Sequence, residues 1–281
     1  MLEHGGFDQG SGLRQMALRC EPTVLSVLHH GDTAAELTLL WQLCAALQAQ
    51  GYTVTVVDGT AEESTDNPGL LDLLDQPYRQ LPAQELGAWS IVPSARGLAQ
   101  LQAGSAAARA LERLKHLLGD ASALVLYAAA DDLGPLLRQP APQRVILPLS
   151  PEMPSLLSAY QGIKQLAQHT RISEVVAVTV NPGDSPEYLA QNIARSLQTC
   201  TMNFLKCAVR HHGIQVPSGD AQAADGSSET MRQLTLQLLD PRLSAERPAA
   251  QVTPAKPTPS ARTTAPAARA RVVHDQRLWS H

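Results

Sequence analysis

A short polar turn, HHGDTAAE at residues 29–36, joins an apolar run of strand type, VLSVL, to a helix with apolar residues at helical spacing. Strand, turn and helix in this order form a common phosphate-binding unit, because backbone N–H groups of the turn point at the anion. Such a unit also needs several glycines, a lysine for the β- and γ-phosphates, and a Ser or Thr hydroxyl for magnesium. This turn holds one glycine, Gly31, and no lysine. The sequence therefore predicts a plain connection in preference to a working nucleotide site.

The composition limits the classes of function. The 281-residue chain has a net charge of −4, which argues against a nucleic-acid partner. It has no apolar run of the roughly 18 residues that a membrane span needs, and its N-terminus does not resemble a signal peptide. The four cysteines form no CxxC pair, and the two adjacent histidine pairs lack a third ligand. We therefore expect a cytoplasmic protein with reduced cysteines and no metal site.

Short apolar runs alternate with helical patterns along the middle of the chain. Predicted strands occupy Thr23–Leu28, Tyr52–Asp58, Trp89–Pro93, Ala123–Ala129, Arg144–Leu149 and Glu174–Asn181. Predicted helices occupy Thr33–Gln50, Ala95–Leu118, Pro154–His169, Glu187–His211 and Ser227–Leu239. The strands are nearly continuous in Val, Leu and Ile, as in a parallel sheet covered by helices on both faces. The alternation predicts an α/β fold with a doubly wound, mostly parallel sheet.

The first strand, turn and helix resemble those of the MinD/ParA-type ATPases, the deviant-Walker group of P-loop proteins, whose loop reads KGGxGKT. In VLSVLHHGDTAAELTLLWQLCAAL, aligned without a gap, Gly31 falls on the signature Lys, Glu36 on the phosphate Lys, and Leu37 on the Thr. The glycine positions are held by Asp32, Thr33 and Ala35. At ~4 Å and an effective dielectric of ~20, repulsion between Glu36 and each phosphate charge reaches about 4 kcal/mol. The resemblance implies a degenerate nucleotide site.

Motifs further along resemble the same superfamily in the same order, over about residues 23–240. VTVVDGT resembles the strand that ends in the second catalytic carboxylate, here Asp58, and ALVLYAAAD resembles the Walker B strand, with Tyr127 in place of its Asp. WSIVPSARG and RVILPLSPEMPSLLSAYQGIK are similar to the hVPxxxG and TPEPTSxxDAYxxIK segments of the flagellar-number regulators, the FlhG/FleN family. Asn181 resembles the strand-end Asn that borders the adenine pocket, although NPG replaces the usual Asn-Arg.

The N-terminal stretch DQGSGLRQM, residues 8–16, resembles the DQAxxLRxL activator segment of these regulators. In that family the segment forms a short helix that docks on FlhF, an SRP-type GTPase of flagellar assembly, and stimulates GTP hydrolysis. The resemblance implies that Gln9 orients the attacking water in trans. Four further residues are implied to contact the partner: Asp8, Leu13, Arg14 and Met16. Two glycines within the segment disfavour a helix, so we expect it to become ordered only on docking.

The chain divides into three predicted parts. Residues 1–20 form the activator-like segment, and residues 21–240 form the MinD-like domain with the degenerate site. Residues 241–281 contain six prolines, nine alanines and an excess of five positive charges, which predicts a flexible basic tail. The family's amphipathic membrane helix is not evident in this tail. Membrane contact, and recruitment to the inner face of the membrane or to the cell pole, therefore stay open.

The leading hypothesis is a regulator of flagellar number or placement that stimulates an SRP-type GTPase, with its core acting as a pseudo-ATPase scaffold that needs no cofactor. Flagellar basal-body (C-ring) proteins are a second class of partner. Two alternatives stay open at this point. One is an active MinD/ParA-type switch that binds ATP and Mg²⁺ through an unorthodox loop, which a nucleotide titration would detect. The other is an inert polar or basal-body adaptor, which would be indifferent to deletion of residues 1–20.

Overall fold

A computed structural model describes residues 21–76, 89–103, 109–138, 143–182, 186–216 and 229–239. The predicted activator segment, residues 1–20, and the predicted basic tail, residues 241–281, lie outside the described residues. Among the helices in the described ranges, none is long and apolar enough to cross a membrane.

Seven parallel strands form one sheet in the described part of the chain. The strands are β1 (Thr23–Leu28), β2 (Val54–Asp58), β3 (Trp89–Pro93), β4 (Ala123–Ala128), β5 (Gln143–Leu149), β6 (Ile172–Pro182) and β7 (Ala208–Val216). Their order across the sheet is β3-β2-β4-β1-β5-β6-β7. The six predicted strands are confirmed to within one or two residues at most ends, and the parallel α/β fold is confirmed with them.

Helices cover both faces of this sheet, as the prediction of a doubly wound architecture requires. They are α1 (Thr33–Ala49), α2 (Leu70–Asp75), α3 (Ala95–Gln102), α4 (Ala110–Leu117), α5 (Ala130–Leu136), α6 (Met153–His169), α7 (Glu187–Cys200) and α8 (Glu229–Leu239). Buried side chains of α1 and α8 pack on one face, and those of α2 to α7 pack on the other. Successive residues of the strands alternate between these two cores, so both faces are apolar.

The predicted helix Glu187–His211 is wrong in its second half. Helix α7 ends at Cys200, one π-turn follows, and Lys206 adopts a left-handed conformation with φ of 55° that stops helical winding. The chain then forms β7, the strand at the sheet edge next to β6. The apolar residues of this stretch do not all lie in the core either, because Phe204 is 73% exposed. β-branched residues on β7 and its pairing with β6 outweigh the helical pattern of the sequence.

The predicted helix Ala95–Leu118 is also wrong, since α3 ends at Gln102 and Ala103 is extended, with ψ of 136°. A separate helix, α4, begins at Ala110. The acidic pair at residues 131–132 lies in the first turn of the short helix α5. The segment LLDLLD forms α2, which the pattern of the sequence did not assign.

Gly97, which ends the hVPxxxG motif, lies where α3 begins against a crowded loop. A Cβ at this position would stand 2.7 Å from the Leu70 Cβ and 2.8 Å from Oε1 of Glu63. The buried carboxylate of Glu63 accepts hydrogen bonds from the backbone N–H groups of Arg96 (2.8 Å) and Gly97 (2.7 Å). A loop carboxylate therefore satisfies the free donors of the α3 N-terminus, and only glycine allows it to come so close.

Candidate functional site

The polar turn between β1 and α1 lies at the carboxyl edge of the sheet, near its centre. From β1 the chain crosses to β2 on one side, while β5 pairs with β1 on the other. Open parallel sheets bind ligands at such points. Gly31 has a φ of +102°, which few other residues adopt, and Asp32 caps α1 by accepting a hydrogen bond from the Ala35 N–H at 3.3 Å.

The Glu36 side chain folds back from the first turn of α1 into this turn and is fully buried. Its Oε1 accepts hydrogen bonds from three successive backbone N–H groups, those of His30 (2.9 Å), Gly31 (3.0 Å) and Asp32 (3.1 Å). Successive N–H groups that converge on one point form an anion-binding nest. In this protein the anion in the nest is the carboxylate of Glu36.

The second carboxylate oxygen of Glu36 is held by two side chains. Tyr127 donates its hydroxyl to Oε2 at 2.6 Å, and His29 donates from Nδ1 to the same oxygen at 2.7 Å. The rings of His29 and Tyr127 meet edge to face, with centroids 5.5 Å apart. With three backbone donors on one oxygen and two side chains on the other, the buried charge is fully hydrogen-bonded.

These hydrogen bonds decide the ionisation of Glu36. Burial alone raises the pKa of its carboxyl, but the hydrogen bonds from Tyr127, from the His30 N–H and from His29 outweigh burial and hold this pKa below its ordinary value of 4.5. Burial raises the pKa of the Tyr127 hydroxyl, and the Glu36 carboxylate raises it further. The pair is therefore a carboxylate and a neutral phenol at physiological pH.

The turn is also tied to the segment that joins β5 to α6. His30 donates from Nε2 to the Pro148 carbonyl at 2.8 Å, and its Nδ1 lies 2.9 Å from the Ser158 hydroxyl. Asp32 accepts a hydrogen bond from the Ser150 N–H at 3.1 Å. Each histidine of the pair therefore has a defined partner. These contacts hold the closed turn in one conformation.

The predicted site residues come together only in part. Gly31, Asp32, Glu36 and Tyr127 form one cluster, and Asp58 pairs with Tyr127 across β2 and β4. Leu37 lies beside the cluster but is 54% exposed and has no hydroxyl to offer. Asn181 is buried on β6, separated from β1 by β5. The side chains of His29 and His30 and the backbone of Ser150 complete the cluster, and their roles were not predicted from the sequence. The remaining predicted residues, Gln9 and its neighbours in segment 8–16, lie outside the described residues.

The residues around the turn do not fit ATP·Mg²⁺. Glu36 engages the backbone donors that a phosphate would need, and no lysine or arginine of the described residues contacts the turn. Asp58 accepts hydrogen bonds from the Thr60 N–H (2.9 Å) and hydroxyl (2.7 Å). No group of three or more metal-binding side chains occurs in the described ranges.

Comparisons with solved structures give the fold family. The ParA family ATPase from Chlorobium tepidum TLS is 13% identical over 76% of this chain and 98% of its own, with a TM-score of 0.51. Cobyrinic acid a,c-diamide synthase from Mycobacterium smegmatis, with bound ADP and magnesium, is 18% identical over 80% of this chain and 97% of its own, with a TM-score of 0.52. The chain has the fold of the MinD/ParA-type P-loop ATPases. No family model matches the sequence, and no curated protein shows significant similarity to it.

In this MinD/ParA fold the depressed pKa of Glu36 makes stability depend on pH. In the window between about pH 4.5 and the lower folded-state pKa, the unfolded chain binds more protons at Glu36 than the folded chain. The contribution of Glu36 is therefore complete above about pH 4.5 and is lost as the pH falls through the folded-state value. We expect the stability difference between wild type and Glu36→Gln, from urea unfolding, to be largest at neutral pH and to shrink in acid. Asp32, whose pKa is also lowered, is present in both proteins, so its contribution cancels in the stability difference. A difference that stays constant down to about pH 3 would contradict the assignment.

Proposed function

We propose that this chain is a regulator of flagellar biogenesis that engages an SRP-type, FlhF-like GTPase through residues 8–16 and stimulates GTP hydrolysis. The core of the MinD/ParA fold acts as a scaffold that neither binds nor hydrolyses ATP. The partner half of the proposal rests on the N-terminal DQxxxLR pattern together with the regulator-like motifs that follow it in order. The scaffold half rests on the site geometry.

The observation that carries the scaffold half is the position of the Glu36 carboxylate. A phosphate can reach the three N–H groups of residues 30–32 only by displacing an internal anion that is already held by five donors. A phosphate beside the carboxylate would meet repulsion of up to about 4 kcal/mol per charge pair. With Tyr127 in place of an acid and Leu37 in place of a hydroxyl, two of the groups that would hold Mg²⁺ and offset that repulsion are replaced.

The position of β1 supports a division of labour between the two halves. The chain enters β1 at Thr23, at the amino edge of the sheet, whereas Glu36 lies at the carboxyl edge. The six residues of β1 span roughly 20 Å at about 3.3 Å per residue. Residues 1–20 thus join the domain at the end opposite to the turn.

The test is a GTPase assay on the flagellar SRP-type GTPase with full-length protein and with two truncations. Deletion of residues 1–20 is expected to abolish the stimulation of hydrolysis. Deletion of residues 241–281 is the matched control, of larger size, and is expected to preserve the maximal rate. If the full-length chain binds the GTPase but never accelerates it, or if both truncations are equally active, the proposed activation is wrong and an adaptor role replaces it.

A further inference from the structure

The two edges of the sheet differ in how they are protected against pairing with a further strand. Edge strands of natural proteins are usually short or carry proline, lysine or a bulge, because their free N–H and C=O groups attract other strands. Strand β3 at one edge has five residues and ends in Pro93. Strand β7 at the other edge has nine residues, contains neither proline nor lysine, and pairs with β6 without a register shift. The β7 edge therefore lacks the usual protection.

The outer edge of β7 is also accessible. Among the strands of the described ranges, β6 alone pairs with β7. On the face that α8 covers, Ala208 is exposed and the Arg210 side chain is 32% exposed. On the opposite face His211, Gly213 and Gln215 are exposed, and a Cβ at Gly213 would meet no atom within 4 Å. Helices α7 and α8 thus leave room for another strand beside β7.

The side chains of β7 carry no unpaired charge at neutral pH. Arg210 forms an ion pair with Glu174 of the neighbouring strand, with a nitrogen–oxygen distance of 2.7 Å. Burial lowers the pKa of His211, and burial followed by Arg210 and His211 lowers the pKa of His212 to about 4, so both rings are neutral. Such an edge offers a charged peptide little attraction and does not repel an identical edge. The strand that suits it is extended and uncharged, as β7 of a second copy is.

A two-fold axis perpendicular to the sheet would pair β7 of two copies antiparallel. All nine residues overlap when the axis passes through His212, which then faces its own copy. In this register Arg210 faces Ile214 and His211 faces Gly213, so no like charges stand opposite each other. Nine paired residues exchange about eight to ten backbone hydrogen bonds. A typical stable interface has about ten direct hydrogen bonds, so this contact is of sufficient size.

We propose that the chain forms a homodimer through β7, in which the two sheets join edge to edge into one continuous sheet. The axis passes through His212, and backbone hydrogen bonds provide most of the contact. The dimer involves neither the turn at residues 29–36 nor the segment 1–20. The proposal is therefore independent of the GTPase proposal and of any nucleotide.

The test is analytical ultracentrifugation of the full-length chain at concentrations up to about 0.1 mM, where a contact of micromolar affinity is mostly formed. We expect a monomer–dimer equilibrium. His211→Lys/Gly213→Lys places lysines opposite each other in two cross-strand pairs and should weaken the dimer at least about tenfold. Gln48→Lys/Gln168→Lys is the matched control, since it adds the same charge at exposed positions of α1 and α6 and should dimerise as wild type does.

A charge reversal separates lost pairing from lost folding. His211→Glu/Gly213→Glu should also be monomeric alone, but an equal mixture with His211→Lys/Gly213→Lys should dimerise again, because opposite charges then face each other. A fold damaged by the substitutions would not be rescued by mixing.

His212→Cys gives a test that does not depend on the charged variants. Opposite residues of antiparallel strands have Cα atoms about 4.5–5.5 Å apart, within reach of a disulfide, so mild oxidation should trap a covalent dimer. Gln215→Cys is the control, because six residues of offset separate it from its own copy by roughly 20 Å. The wild type, with its four cysteines, sets the background. A wild type that stays monomeric up to about 0.1 mM, or a lysine variant that dimerises as wild type does, would overturn the proposal.

Discussion

Replacing Glu36 with alanine is expected to lower the free energy of unfolding by about 3–5 kcal/mol, the range typical of removing one partner from a buried, hydrogen-bonded charge cluster. The substitution leaves three backbone N–H groups without an acceptor, together with the Tyr127 hydroxyl and His29 Nδ1. Each such buried donor costs about 1–3 kcal/mol when it has no partner, and water reaching the half-buried His29 offsets part of the sum. Urea unfolding monitored by circular dichroism gives the number.

Glu62→Ala is the matched control, since Glu62 is an exposed glutamate of a loop and its loss should change stability by no more than about 0.5 kcal/mol. Inorganic phosphate should restore part of the lost stability of Glu36→Ala, because the emptied nest accepts an anion from solution. Phosphate should not raise the free energy of unfolding of the wild-type protein through this turn. A Glu36→Ala protein as stable as wild type would show that the carboxylate does not hold the turn together.

Replacing Gln9 with alanine is expected to reduce the stimulated GTPase rate at saturation to nearly that of the GTPase alone. A glutamine that orients the attacking water acts in the transition state, so its loss lowers the maximal rate and leaves binding nearly unchanged. Leu13→Ala and Arg14→Ala are expected to do the reverse. An apolar anchor and an ion pair act equally in the ground and transition states, so their loss shifts the concentration of half-maximal effect.

These variants serve as controls for one another, because all three lie in the same short segment and differ only in the step they affect. The measurement is a titration of the GTPase with each full-length variant, with hydrolysis followed to saturation. If Gln9→Ala reaches the wild-type maximal rate at higher concentration, Gln9 is a contact residue and not the group that orients water. If Leu13→Ala lowers the maximal rate without shifting the midpoint, the division of roles is wrong.

Much of the fold follows from pattern, because buried parallel strands leave a strong apolar signature. Six of the seven strands in the described residues and the main helices α1 and α6 could be predicted in this way. Strand β7 could not, since AVRHHGIQV carries polar residues on an edge strand and follows a helix with no Pro or Gly between them. The break after α3 was missed although Gly104 and Ser105 follow Ala103 directly, because alanines continue the helical pattern on both sides of them.

The candidate site was predictable in part of its membership but not in its geometry. The alignment placed Glu36 at the position of the phosphate Lys and Tyr127 at that of the Walker B Asp. The negative charge of Glu36 alone then predicted repulsion of a phosphate. The alignment could not reveal that the carboxylate turns inward and accepts hydrogen bonds from three backbone N–H groups of the turn. That result depends on contacts across 91 residues of sequence, from Glu36 to Tyr127, and on the main-chain path at Gly31. Neither is encoded in local spacing.

Restoring the two residues closest to the nucleotide consensus should not by itself restore an ATPase. The variant Glu36→Lys/Leu37→Thr loses the carboxylate that now fills the nest. It still lacks glycine at residues 32, 33 and 35, and it still has Tyr127 in place of the acid. The variant is therefore expected to show no ATP hydrolysis.

The central claim, that Glu36 occupies the phosphate position of the MinD/ParA fold, is tested most directly by calorimetric titration of the full-length chain with ATP and Mg²⁺. We predict no binding up to about 1 mM ATP, the upper end of ordinary enzyme affinities, whether or not residues 1–20 are present. Micromolar binding by the wild type that disappears on substitution within residues 29–36 would contradict the claim, because it would mean that the turn opens and its carboxylate gives way to a nucleotide.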